Sequence, residues 1–97
     1  MRAQYLVAYD ISDAKRLRRV FKIMNGFGDP LQYSVFVCDL SEVERWKLKD
    51  ALVGVIHHRE DRVVFVNLGP SGGRAAEAFE YLGRQMAVSV ERTAVIV

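Results

Sequence analysis

Residues 9–13, Tyr-Asp-Ile-Ser-Asp, place carboxylates between an apolar segment and a strongly basic one. Residues 4–9 are almost entirely apolar or aromatic and lack Gly and Pro, which predicts a buried strand that ends at Asp10. Asp13 is then expected as the N-cap of a helix over residues 14–24. A carboxylate at such a position suits a hard divalent cation such as Mg²⁺, which could assist phosphodiester hydrolysis. The alternative for Asp10 is a turn residue that hydrogen-bonds its own backbone.

A single copy of the chain supplies few ligands for such an ion. Asp10 is the only carboxylate at a strand end beside the basic helix, so a complete Mg²⁺ site needs a second Asp10 across a two-fold axis. This shortage predicts a homodimer. His57 and His58 are expected in an exposed loop, because neither metal-ligand spacing nor the context of a catalytic triad accompanies them. Several polar side chains could orient water or hold a phosphate, and they are Ser12, Asp13, Arg16 and Ser34.

Positive charge is concentrated near the beginning of the chain. Residues 1–25 carry six bases and two acids, a net charge of +4, whereas the whole chain has a net charge of only +2. The predicted first helix has a core-facing stripe of Leu17, Val20, Phe21 and Met24. Its solvent side carries the cations Lys15, Arg16, Arg18, Arg19 and Lys22. Such a face is often merely solvated, but five cations within eight residues favour contact with the phosphates of a nucleic acid.

The remaining elements alternate between strands and helices. A strand region is predicted at residues 31–40, and Ser41 with Glu44 forms a capping box for a second helix that ends near residue 55. Further strands are predicted at residues 62–68 and 93–97, with a short helix over residues 74–82 between them. This order predicts an α+β sandwich with helices on one face of a sheet. The second helix also has apolar residues on its outer side, which suggest a partner surface or a half-buried indole: Val43, Trp46 and Val53.

Length and composition indicate one small domain over residues 1–97. No apolar run approaches the length of a membrane span, and the first residues lack the apolar region of a secretory signal. We therefore expect a cytoplasmic protein without a membrane partner. The single cysteine, Cys38, cannot form an internal disulfide and is expected to be a small buried hydrophobic residue.

The chain resembles the second of the Cas protein families, small CRISPR-associated proteins of the adaptation machinery. Four blocks carry the resemblance in order along nearly the whole chain. They are residues 9–11 (Tyr-Asp-Ile) with Asp13; residues 15–20 (Lys-Arg-Leu-Arg-Arg-Val); residues 32–36 (Gln-Tyr-Ser-Val-Phe); and residues 60–65 (Glu-Asp-Arg-Val-Val-Phe) with the later Leu82-Gly83. An RNA-recognition domain is disfavoured, because residues 63–68 lack its aromatic-rich signature.

The resemblance implies a ferredoxin-like βαββαβ domain and a symmetric homodimer. An extra strand at the carboxyl end would pack on the sheet of the partner, with Val95 and Ile96 at the interface. Since that pattern has two strands between the helices, residues 31–40 would be divided by a kink near Tyr33 or Ser34. The resemblance also implies a metal-dependent endonuclease on RNA or DNA, with Asp10 as the catalytic metal ligand. The other family positions fall on Tyr9, Arg16, Arg19, Ser34 and Phe36.

The same resemblance implies a second, non-catalytic role in CRISPR adaptation, or spacer acquisition. There the dimer bridges the integrase formed by the first Cas protein and holds the DNA to be inserted. Such a scaffold needs basic surface and two-fold symmetry but has no use for Asp10 as a metal ligand. A related toxin-like ribonuclease of the same fold is a third alternative.

Overall fold

The computed structural model describes residues 1–84, and these form two layers. Four antiparallel strands make one sheet in the order β2-β3-β1-β4, and two helices pack against one of its faces. The elements are β1 (Arg2–Asp10), α1 (Ala14–Asn25), β2 (Asp29–Gln32), β3 (Val35–Ser41), α2 (Glu42–Val53), β4 (Arg62–Pro70) and a short 3₁₀ helix (Arg74–Ala78). The predicted α+β, ferredoxin-like arrangement is confirmed, whereas the predicted strand over residues 93–97 lies outside the described residues.

Helix α1 begins as the sequence predicts. Asp13 is its N-cap, and a carboxylate oxygen of Asp13 accepts a hydrogen bond from the backbone N–H of Arg16 at 3.0 Å. Val20 and Met24 are fully buried, while Phe21 stays about half exposed at the edge of the core. Their side chains fix the rotation of the helix, so that its basic side faces solvent.

The end of α1 differs from the prediction of a left-handed cap at Gly26 or Gly28. Gly26 has φ −80°, an ordinary right-handed value, and its N–H donates to the carbonyl of Ile23. Gly28 is instead required by a close approach to β3. A Cβ on Gly28 would lie 2.5 Å from both the Cys38 sulfur and the Val37 carbonyl oxygen. The glycine therefore serves packing between α1 and the sheet rather than helix termination.

The run of residues 31–40 is divided between β2 and β3, which confirms the predicted kink. Tyr33 and Ser34 form a two-residue turn, in which Ser34 has φ +63°. Strand β2 begins earlier than expected, at Asp29, and Pro30 lies within it. Proline is compatible with that position because β2 is an edge strand of the described sheet.

Helix α2 begins with the predicted capping box. The Glu44 N–H donates to the Ser41 hydroxyl, and the Ser41 N–H donates to the Glu44 carboxylate. Leu48 and Leu52 are buried, but the helix ends two residues before the predicted position, and Gly54 caps it. The outer residues predicted to be uncovered are exposed, namely Val43, Trp46 and Val53.

The later elements agree in type with the prediction but differ in length. Strand β4 runs two residues beyond its predicted end, and the predicted helix over residues 74–82 is reduced to the 3₁₀ helix. Cys38 is fully buried, as expected. Neither helix of the described region has the length and apolar character that a membrane crossing requires.

Candidate functional site

Asp10 is the last residue of β1, where the central part of the sheet meets the loop that leads to α1. Its side chain is exposed, and its register partner on β4 is Arg62. Among residues 1–84, no side chain is recorded in a hydrogen bond or ion pair with the Asp10 carboxylate. This carboxylate is thus available to an external ligand.

The other carboxylates near the loop are already committed to protein groups. Asp61 lies just before β4, and its side chain is fully buried. One oxygen accepts from Arg16 Nε at 2.7 Å and from the His57 N–H at 2.7 Å. The other accepts from the Ser12 N–H at 3.0 Å and from Arg16 Nη2 at 3.2 Å. Asp61 therefore joins the loop after β1, the first turn of α1 and the segment before β4.

This network changes the ionisation of its members. Hydrogen bonds from the Arg16 guanidinium, followed by those from the backbone N–H groups of His57 and Ser12, hold the pKa of Asp61 well below its usual range. The bond to Asp61 also raises the pKa of Arg16. The pKa of Asp13 is lowered, first by its bond from the Arg16 N–H. Both carboxylates are charged at neutral pH, but their lone pairs already face donors of the chain.

Ser12 and Asp13 were predicted to orient water or hold a phosphate. In the structure the Ser12 hydroxyl donates to Glu60 at 3.3 Å or to Asp61 at 3.2 Å, and it also accepts from Arg16 Nη2. Asp13 is occupied by its capping bond to α1. Both residues therefore lie in the loop network beside Asp10. Their principal hydrogen bonds are made to other residues of the chain.

On the β3 side of β1, Ser34 and Phe36 contact Tyr9, the residue before Asp10. The Tyr9 N–H donates to the Ser34 carbonyl at 3.0 Å, and the rings of Tyr9 and Phe36 stack with centroids 6.2 Å apart. Phe36 is fully buried and Tyr9 nearly so, so neither ring presents a surface to a ligand. Burial raises the pKa of Tyr9, which keeps its hydroxyl protonated at neutral pH.

The five cations predicted on the solvent side of α1 are not equivalent. Four of them are exposed, namely Lys15, Arg18, Arg19 and Lys22. Arg16 differs, because only 22% of its side chain is exposed and its guanidinium is bonded to Asp61, Glu60 and Ser12. The predicted basic face is therefore present, with Arg16 at its margin and turned towards the loop network.

No group of three or more His, Cys, Asp or Glu side chains within residues 1–84 is arranged to hold a metal ion. Among the carboxylates near the loop, Asp10 is the one for which no hydrogen bond or ion pair to another side chain is seen within residues 1–84. His57 and His58 are exposed loop residues, as predicted. Val95 and Ile96, predicted at a dimer interface, lie outside the described residues.

Asp61 and Glu60 were not predicted to have a role, although both fall in a block that carries the family resemblance. Their position in a polar connection gave only a weak signal. Arg16 and Asp61 are separated by 45 residues, so no local spacing rule relates them. The one signal in the sequence was that Arg16, in the first turn of α1, has no acidic neighbour on the helix with which to pair.

Comparisons with known proteins identify the family of the chain. Residues 2–72 match the family described as CRISPR associated protein Cas2. The chain belongs to the Cas2 family. The match includes Asp10, the whole of α1 and the Arg16–Asp61 network.

Individual members of the Cas2 family are similar over most of the chain. The CRISPR-associated endoribonuclease Cas2 of Geobacter sulfurreducens is 45% identical over 67 residues, which are 69% of this chain and 70% of that protein. CRISPR-associated endoribonuclease Cas2 1 of Rhodospirillum rubrum is 41% identical over 87 residues, 84% of this chain and 85% of that protein. The crystal structure of Streptococcus pyogenes Cas2 superposes with a TM-score of 0.72 at 32% identity, covering 82% of this chain and 99% of that one.

Proposed function

We propose that this Cas2 family member is a nucleic-acid-binding homodimer of CRISPR adaptation and a metal-dependent endonuclease on RNA or DNA. The observation that carries the nuclease proposal is the Asp10 carboxylate, which is exposed at a strand end while Asp13 and Asp61 beside it are occupied. Relatives that bear the name endoribonuclease support the same activity. Cytoplasmic location is part of the proposal.

The sheet face opposite the helices supports a dimer. Side chains alternate along β1, so Leu6, Ala8 and Asp10 share that face. In the register of the sheet, Ala8 lies opposite Val64 and Leu6 opposite Val66, and both valines are more than 40% exposed. A second copy on this apolar face would bury these side chains and bring a second Asp10 towards the first. We propose that Val95 and Ile96 contribute to the same interface.

Two symmetry-related Asp10 carboxylates fit the ligand set of Mg²⁺, which is commonly bound by one or two carboxylates together with water and substrate phosphate. Such an ion, when bound, supplies Lewis-acid polarisation of a phosphoryl oxygen and a more acidic water. Each chain contributes one of the two carboxylates and the loop that holds it. Committed hydrogen bonds keep Ser12, Asp13 and Asp61 from competing for the ion.

The exposed cations of α1 support nucleic-acid binding. Lys15, Arg19 and Lys22 lie on the side of α1 opposite its buried stripe, with Arg18 on one flank. Phosphate contacts made by such a face depend on charge and not on base identity, so the proposed binding has low sequence specificity.

The second candidate is a scaffold in adaptation that bridges the integrase of the first Cas protein and binds DNA without cleaving it. The specific observation in its favour is that residues 1–84 hold no three-ligand metal cluster. In this case the basic face of α1 and the two-fold symmetry are sufficient for function. The chemistry would then belong to the partner.

The test is cleavage of single-stranded RNA and double-stranded DNA with Mg²⁺, measured with binding on the same samples for wild type and Asp10→Asn. We expect Asp10→Asn to bind as wild type but to lose cleavage, because the removed charge serves the ion and not the fold. Glu42→Gln is a matched control, since Glu42 is an exposed carboxylate at the start of α2. Binding without cleavage by wild type would favour the scaffold, and wild-type cleavage by Asp10→Asn would contradict the role of Asp10.

A further inference from the structure

We infer that Asp61 is a positioning residue for the loop that follows Asp10, and that Arg16 acts with it in this role and does not supply a phosphate contact. This inference rests on the proposed function in one respect, namely that the loop presents Asp10 to a divalent cation. The contact between Arg16 and Asp61 is given by the hydrogen bonds of the described residues.

Asp61 uses both of its oxygens on three separate segments of the chain. Its fully buried carboxylate accepts from Arg16 on α1, from the His57 N–H and from the Ser12 N–H. A carboxylate without these donors would be costly to keep away from water. Ser12 is only two residues after Asp10, so the bond that holds the Ser12 N–H limits the positions that Asp10 can adopt.

One edge of the Arg16 guanidinium, formed by Nε and Nη2, is already engaged within the chain. Its Nε donates to Asp61 at 2.7 Å, and its Nη2 lies 3.2 Å from each of Asp61, Glu60 and Ser12. The planar fork that would bind a phosphate in two-point fashion is already directed at the Asp61 carboxylate. A phosphate could take this edge only by displacing the buried Asp61 carboxylate, which makes Arg16 the least suitable of the α1 cations for a two-point contact.

Arg19 provides the matched comparison on the same helix. It is exposed, lies one turn further along α1, and has no ion-pair partner recorded among residues 1–84. If α1 contacts a phosphate backbone, neutralising Arg19 removes a phosphate contact, whereas neutralising Arg16 removes none. The two arginines therefore differ in the expected salt dependence of binding.

The first experiment measures the affinity of wild type, Arg16→Gln and Arg19→Gln for a labelled single-stranded RNA and a double-stranded DNA at several KCl concentrations. For each Arg19 that contacts a phosphate, Arg19→Gln is expected to reduce the slope of log K against log salt by about 0.7 on the single strand and about 0.9 on the duplex, and by twice as much where both copies of a dimer make the contact. Arg16→Gln is expected to leave the slope at the wild-type value. An equal reduction by an Arg16→Gln protein whose circular dichroism matches wild type would overturn the inference.

The second experiment measures the loop directly in Asp61→Asn and in Arg16→Lys, which keeps the charge but loses the fork. Hydrogen exchange of the Ser12 amide is expected to become faster in both. The apparent affinity for Mn²⁺ alone, measured by paramagnetic broadening near Asp10, is expected to fall by about 10-fold or more. If Asp61→Asn does not fold, the Arg16→Lys result decides.

These readouts separate the inference from the proposed function. A wild-type protein that binds no Mn²⁺ and cleaves nothing would count against the nuclease, while the Ser12 exchange rate and the salt slopes would still decide the role of the pair. Wild-type exchange of the Ser12 amide in a folded Arg16→Lys protein would overturn the positioning role.

Discussion

Substitution of Gly28 by Ala tests the close contact between the segment after α1 and strand β3. The new Cβ would lie 2.5 Å from the Val37 carbonyl oxygen and 2.5 Å from the Cys38 sulfur, about 1 Å inside ordinary contact. Neither atom can withdraw without displacement of β3, because one belongs to the backbone and the other to a fully buried side chain. The contact therefore has no flexible side to absorb the overlap.

Overpacking of a core typically costs about 1–3 kcal/mol, and we take the upper end because two obstructions act together. Alanine also restricts the unfolded chain more than glycine does, which adds about 0.5 kcal/mol to the free energy of unfolding. The expected net loss in the free energy of unfolding is about 2.5 kcal/mol. For a domain of this size, this corresponds to a melting temperature lower by about 10–20 °C.

The assay is urea unfolding followed by circular dichroism, at one fixed protein concentration because dimerisation would couple to folding. Gly54→Ala is the matched control. Gly54 has φ −71° and ψ −10°, and the nearest atom to its added Cβ would be 3.6 Å away, so this variant should gain about 0.4–1 kcal/mol. A Gly28→Ala protein as stable as wild type would refute the packing argument.

Three further predictions concern ionisation, thiol reactivity and association. Because the pKa of Asp61 is lowered by its hydrogen bonds, the stabilisation from its charged form is fully present above the unfolded value of about 3.9 and is lost as the pH falls towards the lower folded value. Urea midpoints of wild type should thus fall more steeply below about pH 4 than those of Asp61→Asn, and parallel curves would contradict the assignment. Burial raises the pKa of Cys38 to about 12, so a thiol reagent at pH 8 should label the unfolded chain but not the native one; rapid native labelling would show an accessible thiolate. Val64→Asp should dissociate the proposed dimer in sedimentation velocity, whereas Trp46→Ala should leave it intact because Trp46 is on the helical side; the reverse pattern would move the interface to α2.

Local rules were sufficient where the determinants lie within a few residues of one another. The Asp13 cap, the stripe containing Val20 and Met24, and the capping box of Ser41 with Glu44 all appear where the sequence predicts them. Asp10, the proposed metal ligand, lies at its predicted strand end for the same reason, because an apolar run that stops at a carboxylate is visible directly in the sequence.

Features that depend on distant residues were not accessible to these rules. The turn at Ser34 uses a positive φ without Gly or Asn, so only the family pattern indicated it. The requirement for Gly28 comes from Cys38 on another strand, and a helix-cap rule gave the wrong reason for that glycine. Arg16 was grouped with its exposed neighbours because Asp61, its partner, follows 45 residues later.

The strand order has a consequence for how the chain is made. Strand β1 is synthesised before both of its neighbours in the sheet, since it pairs with β3 and with β4. Its backbone hydrogen bonds on the β4 side cannot begin to form until residue 62 has left the ribosome, and they are complete only after residue 70. The inner strand that carries Asp10 therefore stays without its β4 partner while residues 11–61 are synthesised, and the sheet is completed through contacts between distant parts of the sequence.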